Sequence, residues 1–252
     1  MSLRLRICAA LATMFALLDL DNTRAASNDA SAGDYVILLH GAGRTPVSMN
    51  PMAACLREHG YRVINARFRS MGLSIEQIAD SYFPELIDSL GPQVKVHFVA
   101  HSMGGIILRQ YLSTHTVTNL GRVVMLAPPN HGSELVDRVK TVPVLNDVLG
   151  RRLLELGTRP EDLPIRLGPA NFDCGVIAGD SSANPITSSF LHGANDGKVT
   201  VESARLEGMR DFLVVHNSHT WMIWRKSVMQ QVLTFLEHGE FDHGDLRSEV
   251  SQ

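Results

Sequence analysis

Cysteine, lysine and aromatic residues are all scarce in this chain. Three cysteines among 252 residues are too few to staple a disulfide scaffold, so a fold must rest on a buried core. The 26 acidic residues outnumber the 23 basic ones, for a formal net charge of −3. No run of Lys or Arg compensates. Neutralising a phosphate backbone needs a basic excess, so this balance argues against a nucleic-acid partner. No apolar run reaches the roughly 20 residues of a membrane-spanning helix, and no stable membrane insertion is expected. What is present is ordinary for a globular chain: 44% hydrophobic and 19% charged residues. The length suits one domain, or at most two small ones, with a sizeable core.

The first 25 residues read as a targeting segment. Arg4 and Arg6 precede an uncharged stretch over residues 7–18, and small residues follow near Ala25. That order is the pattern of a secretory signal. Thr23-Arg24-Ala25 is an acceptable but imperfect cleavage site, because Thr stands where Ala is usual. A signal peptide over 1–25 implies a secreted or periplasmic protein; an uncleaved anchor or a packed N-terminal helix are the alternatives. Cys8 leaves with such a signal. Export places Cys55 and Cys174 in an oxidising compartment, yet two buried thiols are the expected state. Residues 26–33 read as a polar linker and 239–252 as a polar, frayed tail.

Between them, apolar runs alternate with helical spacing. Strands are expected at 35–39, 61–66, 94–100, 122–127, 174–178 and 212–216, and helices at 48–59, 74–90, 104–113 and 219–238. The run Tyr35-Val36-Ile37-Leu38-Leu39 lacks period-two alternation, as a strand buried on both faces does. Strand, helix, strand, repeated, predicts an α/β fold with a mostly parallel six-stranded sheet and helices on both faces. The stretch between the fourth and fifth strands is too long for a plain loop. A small cap insertion over 129–172 is expected there, above the carboxyl ends of the strands where open parallel sheets place ligands.

Chemistry concentrates at Val99-Ala100-His101-Ser102-Met103-Gly104-Gly105-Ile106-Ile107. A buried strand runs into a serine and then into a Gly-opened helix. So tight a turn strains the serine backbone, exposes its hydroxyl and needs small residues two places to either side. Ala100 and Gly104 meet that need, with Ala in place of the usual first Gly. A serine hydroxyl is a weak nucleophile until a base takes its proton and a carboxylate orients the base. Acyl transfer also needs fixed donors for the oxyanion, and the N–H of Met103, at the helix N-terminus, is one.

With this motif stand Leu38-Leu39-His40-Gly41-Ala42-Gly43-Arg44, residues 121–129, Asn195-Asp196-Gly197-Lys198-Val199 and Ser218-His219-Thr220. Together they resemble the alpha/beta-hydrolase superfamily, and within it the small secreted bacterial lipases and lipase-like serine esterases, over nearly all of 34–238. The resemblance implies the chain order serine, acid, histidine, with the base after the last strand. His216 and His219 both lie there, and the family pattern favours His219. Asp180 and Asp196 both follow the fifth strand, and the Asn-Asp-Gly-Lys-Val loop favours Asp196. By resemblance the second oxyanion donor is the N–H of Ala42. His40, Gly41 and His101 are expected beside the substrate, His40 bracing the oxyanion loop and His101 lining the sheet or pocket. Arg44 either binds a polar substrate group or pairs with a carboxylate. Asn130 and Ser133 are expected to cap the helix after the fourth strand.

The resemblance thus implies ester cleavage by Ser102, His219 and Asp196 through an acyl-enzyme, on a small acyl ester or lipid. The alternatives are an acyltransferase or amidase with the same triad, and a non-catalytic alpha/beta-hydrolase domain that binds an apolar ligand or a partner. Neither a metal nor an organic cofactor is expected. His97, His131 and His192 lack ligand spacing, and the glycine loop at 41–44 lacks a phosphate-binding Lys and Ser/Thr.

Overall fold

Six strands form one parallel sheet in the order β2-β1-β3-β4-β5-β6. They are β1 (Tyr35–Leu39), β2 (Arg62–Asn65), β3 (Val96–His101), β4 (Leu120–Leu126), β5 (Cys174–Gly179) and β6 (Asp211–Val215). The computed structural model describes residues 33–68, 73–141 and 151–244. The expected signal peptide and cleavage site, all but the last residue of the expected linker, and the tail beyond 244 lie outside them. Among the described residues no helix is long and apolar enough to cross a membrane.

The uninterrupted apolar run of β1 has its cause in the layers. Tyr35, Ile37 and Leu39 face one core, and Val36 and Leu38 face the other. The first core is closed by helix α2 (Ile75–Leu90), through Ile75, Ile78, Ala79 and Phe83, and by α3 (Met103–Thr114), through Ile106, Ile107 and Tyr111. The second is closed by α1 (Asn50–Glu58), through Met52, Ala53 and Leu56, and by the C-terminal helix (Lys226–His238), through Val228, Val232, Phe235 and Leu236. Each fully buried aliphatic side chain contributes about 1.5–3 kcal/mol, so both faces of the sheet are strongly held.

Several boundaries differ from the sequence expectation for physical reasons. The first helix opens as a 3-10 turn over Pro46–Met49, because the prolines at 46 and 51 remove backbone donors. Phe83 takes a fully buried place beside Tyr111, 4.7 Å between ring centroids. β4 starts two residues earlier, and Gly121 lets it pass His97; a Cβ there would lie 2.6 Å from His97 Nδ1. The closing helix expected from residue 219 starts only at Lys226. A 3-10 turn over Met222–Trp224 and the extended Arg225 precede it. Residues 239–244 do not fray. Phe241 is buried against Phe235, its N–H donates to Asp211 Oδ2 at 2.7 Å, and Gln231 exchanges two hydrogen bonds with the Asp242 backbone.

Candidate active site

β3 delivers Ser102 at the carboxyl edge of the sheet with φ 56° and ψ −126°. A non-glycine residue in such a region costs on the order of 1–3 kcal/mol and persists only where its surroundings fix it. Two hydrogen bonds do so: the Ser102 N–H donates to Leu126 O at 2.8 Å, and its carbonyl accepts from the Gly105 N–H at 2.9 Å. Gly104 cannot carry a side chain, since a Cβ would meet Leu39 O at 2.7 Å and His40 O at 3.0 Å. Ala100 is tolerated because its methyl points into the first core, where it is wholly buried.

The acid and base arrive from the far side of the sheet. After β5, Asn195 Oδ1 accepts the Gly197 N–H at 3.0 Å, and Gly197 sits at φ 93°. This turn folds Asp196 Oδ1 onto the N–H groups of Lys198 (2.9 Å) and Val199 (2.8 Å). Asp196 O then accepts the His219 N–H at 3.1 Å, which ties the loop after β6 to the acid loop. The side chains complete a line. His219 Nδ1 lies 2.7 Å from Asp196 Oδ2, and His219 Nε2 lies 2.9 Å from Ser102 Oγ. Carboxylate oxygen only accepts, so Nδ1 carries the proton and Nε2 is left as acceptor for the serine hydroxyl. Both side chains are buried, at 5% and 1% exposure. Such an array can take a proton from Ser102 and stabilise the imidazolium that results.

Donors for an oxyanion lie beside it. The Met103 N–H opens α3 and, as the first helical donor, has no acceptor within the helix. The Ala42 N–H donates to no acceptor among the described residues. Gly41 and Gly43 (φ 64°) shape the turn between them, closed by Arg44 N–H to Gly41 O at 3.3 Å. A Cβ on Gly41 would come within 3.1 Å of Ser102 Cβ.

The sequence matches the Alpha/beta hydrolase family over residues 36–239. The chain belongs to that family. No curated protein sequence matches it. Among solved structures it is similar to the mature lipase BlEst2 of Bacillus licheniformis, at 22% identity and TM-score 0.62, covering 81% of this chain and 90% of that one. It covers only 51% of the propeptide form of that lipase. Phospholipase PlaB of Legionella pneumophila is similar at 18% identity and TM-score 0.55, over 68% of this chain and 45% of that one. A metagenomic carboxyl esterase, MGS0156, is similar at 19% identity and TM-score 0.56, over 75% and 65%.

In this alpha/beta hydrolase the two competing residues, Asp180 and His216, are brought to each other and not to the serine. His216 Nδ1 lies 2.9 Å from Asp180 Oδ1, with the side chains 78% and 35% exposed. Their pair sits at the strand ends, while the line to Ser102 is built from the longer loops.

His101 and His40 sit under the site. His101 Nε2 donates to the His219 carbonyl at 2.9 Å. Burial first, and the nearby His219 second, hold its ring well below the ordinary 6.5, so it is neutral. His40 stacks on Phe68 at 4.2 Å and contacts Gly41 O through Nδ1 at 3.0 Å. Burial lowers its pKa too.

A cavity of about 480 Å³ opens on Ser102. Gly41, Ala42, His101, Met103 and His219 line it beside the serine; His40 does not. The segment between β4 and β5 adds an aliphatic wall of Leu135, Val136, Val139, Leu153 and Leu156. A second cavity, about 530 Å³, is bounded by His131, His192, Glu202 and Glu207. None of Ser102, His219 and Asp196 touches it, so size does not mark the site. Among the described residues no three His, Cys, Asp or Glu side chains gather as a metal site. Cys55 and Cys174 are free thiols, the latter pushed up to about 12 by burial.

Asn130 and Ser133 do not cap the following helix (Glu134–Lys140) with their side chains. Ser133 is its N-cap residue, yet its hydroxyl donates to Lys198 O at 2.6 Å. Asn130 is engaged by Arg109, a residue that sequence reading passed over. Arg109 is buried in α3, and burial brings its guanidinium down to about 10, so it stays charged. It donates to Asn130 O and Oδ1 (3.1 and 3.2 Å), Pro164 O (3.2 Å) and Gly168 O (2.6 Å). One cation thus clamps both ends of the inserted segment onto the helix that begins beside Ser102. The signal available in the sequence was the single charged residue of the stretch 104–114, set directly after the apolar run 103–108.

Proposed function

We propose that this alpha/beta hydrolase is a serine hydrolase of carboxylic esters, an esterase or lipase. The observation that carries the reading is the buried line from Ser102 through His219 to Asp196, with unengaged N–H groups at its serine end. Ser102 Oγ bonds to the ester carbonyl carbon as its proton passes to His219 Nε2. Asp196 holds the imidazole in the required tautomer and offsets its charge. The Ala42 and Met103 amides stabilise the oxyanion. Collapse expels the alcohol, which takes the proton from His219. Water then adds to the acyl-enzyme with His219 again as base, and the acid leaves as Ser102 regains its proton. The aliphatic wall of the inserted segment suits the acyl chain.

The test is covalent labelling by a fluorophosphonate together with hydrolysis of p-nitrophenyl esters of rising chain length. Labelling and turnover in the wild-type protein, both lost in Ser102→Ala, support the reading. Turnover that survives Ser102→Ala refutes it. The basic, then apolar, then small residues of 1–25 support export of the enzyme. Mass spectrometry of the mature N-terminus checks this: a start at or near Ala26 agrees, and an intact Met1 on soluble cytoplasmic protein does not.

A further inference from the structure

Five of the six large hydrophobic side chains exposed among the described residues stand in loops at the carboxyl edge of the sheet. Val47 follows β1, Ile186 and Phe190 follow β5, and Trp221 and Trp224 follow β6. Single exposed apolar groups are ordinary; a cluster is not. Val47 and the two tryptophans form one patch. Trp224 donates its Nε1–H to Ser48 O at 2.8 Å, which fastens the loop after β6 to the 3-10 turn that carries Val47. Trp221 packs edge-on against Trp224, 5.0 Å between ring centroids, and is still 51% exposed. An indole ring is apolar along its body and polar at its N–H, which suits a boundary between apolar and wet surroundings.

Charge gives the patch a second signature. The chain as a whole is acidic, yet residues 40–57 and 212–236, which supply the patch, contain no Asp or Glu. Arg225 and Lys226 follow Trp224 directly, and both are exposed. Arg225 Nε donates to the neutral Asn217 Oδ1 at 3.0 Å, and neither cation reaches a carboxylate among the described residues. Asp180, the carboxylate at the end of β5, is paired with His216. The same two loops reach the cavity that opens on Ser102, through Gly43 and His219. An anionic bilayer matches all three features. Its headgroups meet the cations, its boundary layer takes the indole rings, and its acyl chains stand opposite an aliphatic cavity.

We infer that Val47, Trp221 and Trp224, with Arg225 and Lys226, form a docking face for the surface of an anionic lipid bilayer. Docking here is adsorption at headgroup level and needs no membrane-spanning element. The face rests on exposure and charge and goes beyond the ester-hydrolase reading; with that reading, docking brings the cavity to acyl esters within the lipid.

The experiment uses the full chain carrying Ser102→Ala, so that no lipid is hydrolysed and the outcome does not depend on the proposed activity. It is mixed with vesicles of phosphatidylcholine alone, or with about 30% phosphatidylglycerol added. Sedimentation reads binding. Fluorescence reads the face itself, because the chain has only 2 tryptophans and both lie in it. Binding to the anionic vesicles is expected, with a blue shift of the emission and quenching by brominated acyl chains. It should be at least about fivefold weaker on phosphatidylcholine alone and at high salt. Arg225→Gln with Lys226→Gln should weaken it by about tenfold or more, at roughly fivefold per cation. Trp221→Ser with Val47→Ser should weaken it on both kinds of vesicle. Lys95→Gln, an exposed change before β3 at the opposite edge of the sheet, should alter nothing. Circular dichroism confirms that each variant is folded. No binding by the folded protein overturns the inference. So does binding without a tryptophan shift, or binding that survives both double substitutions, since another part of the chain such as residues 1–25 then makes the contact. A blue shift that follows protein concentration without vesicles assigns the face to a second copy of the chain and overturns the lipid.

Discussion

Two Asp–His pairs sit at the carboxyl edge of β5 and β6. Asp180 and His216 are 2.9 Å apart, and Asp196 and His219 are 2.7 Å apart. Distance hardly separates them; surroundings do. The first pair lies in solvent, where such a contact contributes about 0–1 kcal/mol and is screened by salt. The second is buried, and each remaining polar atom has work. Asp196 Oδ1 takes two N–H groups, and His219 Nε2 faces Ser102 Oγ. An acid beside a histidine is therefore not enough for chemistry. A fixed carboxylate, a single tautomer and a third group at the free nitrogen are what differ.

The largest expected effect breaks the buried line at its serine. Ser102→Ala should remove ester hydrolysis down to the roughly 10³–10⁴-fold advantage over water that binding and oxyanion donors alone give. Circular dichroism should show the fold unchanged, because the alanine relieves no contact that holds α3. A variant with wild-type turnover would end the proposal.

Next come matched substitutions in the two pairs. Asp196→Asn should lower kcat by about 10⁴-fold, since an amide lets His219 take the wrong tautomer. Asp180→Asn and His216→Ala should stay within about twofold of wild type, as surface changes do. His219→Ala should match Ser102→Ala. All four are read on one p-nitrophenyl ester. If His216→Ala is the more damaging histidine change, the exposed pair is the functional one.

Buried charge elsewhere gives a smaller, structural effect. Arg109→Met leaves four acceptors around Asn130, Pro164 and Gly168 without their donor. The expected cost is about 2–4 kcal/mol, or a fall in Tm of roughly 5–15 °C for a domain of this size. Thermal melts decide it; an unchanged Tm would mean that the inserted segment is held by its aliphatic contacts alone.

Much of this contrast was legible in the sequence. The six strands could be read because parallel strands covered on both faces are apolar throughout, and β1 matches residue for residue. The order of serine, acid and histidine is implied by the family resemblance, and the strand ends only narrow the acid to Asp180 or Asp196 and the base to His216 or His219. The preference for Asp196 over Asp180 rests on the resemblance of its loop to the family's acid loop, and the structure shows the local reason for that loop's shape: the Asn-Asp-Gly turn folds the carboxylate onto its own backbone. What could not be read depends on tertiary partners. Nothing local says that His101 donates to the His219 carbonyl, that Asn130 serves Arg109 and not a helix, or that Phe241 docks beyond an apparent tail. The half-exposed β2 and the 3-10 turn before the last helix blurred for the same reason, since neither has a fully apolar face to mark its ends.

The smallest expected effect sharpens the contrast from the buried side, through pH. His40, His97 and His101 are each held below the ordinary 6.5, with burial the largest cause. In the unfolded chain these rings take up protons as pH falls through about 6.5; in the fold they resist. The unfolded state then binds more protons, and stability falls with pH below that point. The native advantage is therefore complete above about pH 6.5 and is lost on acidification, by at most about 1.4 kcal/mol per histidine for each pH unit. His101, held well below 6.5, lies against His219. His101→Gln keeps a donor for the His219 carbonyl but cannot titrate. Its Tm should fall less steeply than that of the wild type between about pH 7 and about pH 5, with the two close together at the upper end. Equal slopes would mean that His101 is not held neutral beneath the site, and that the buried line does not rest on an uncharged support.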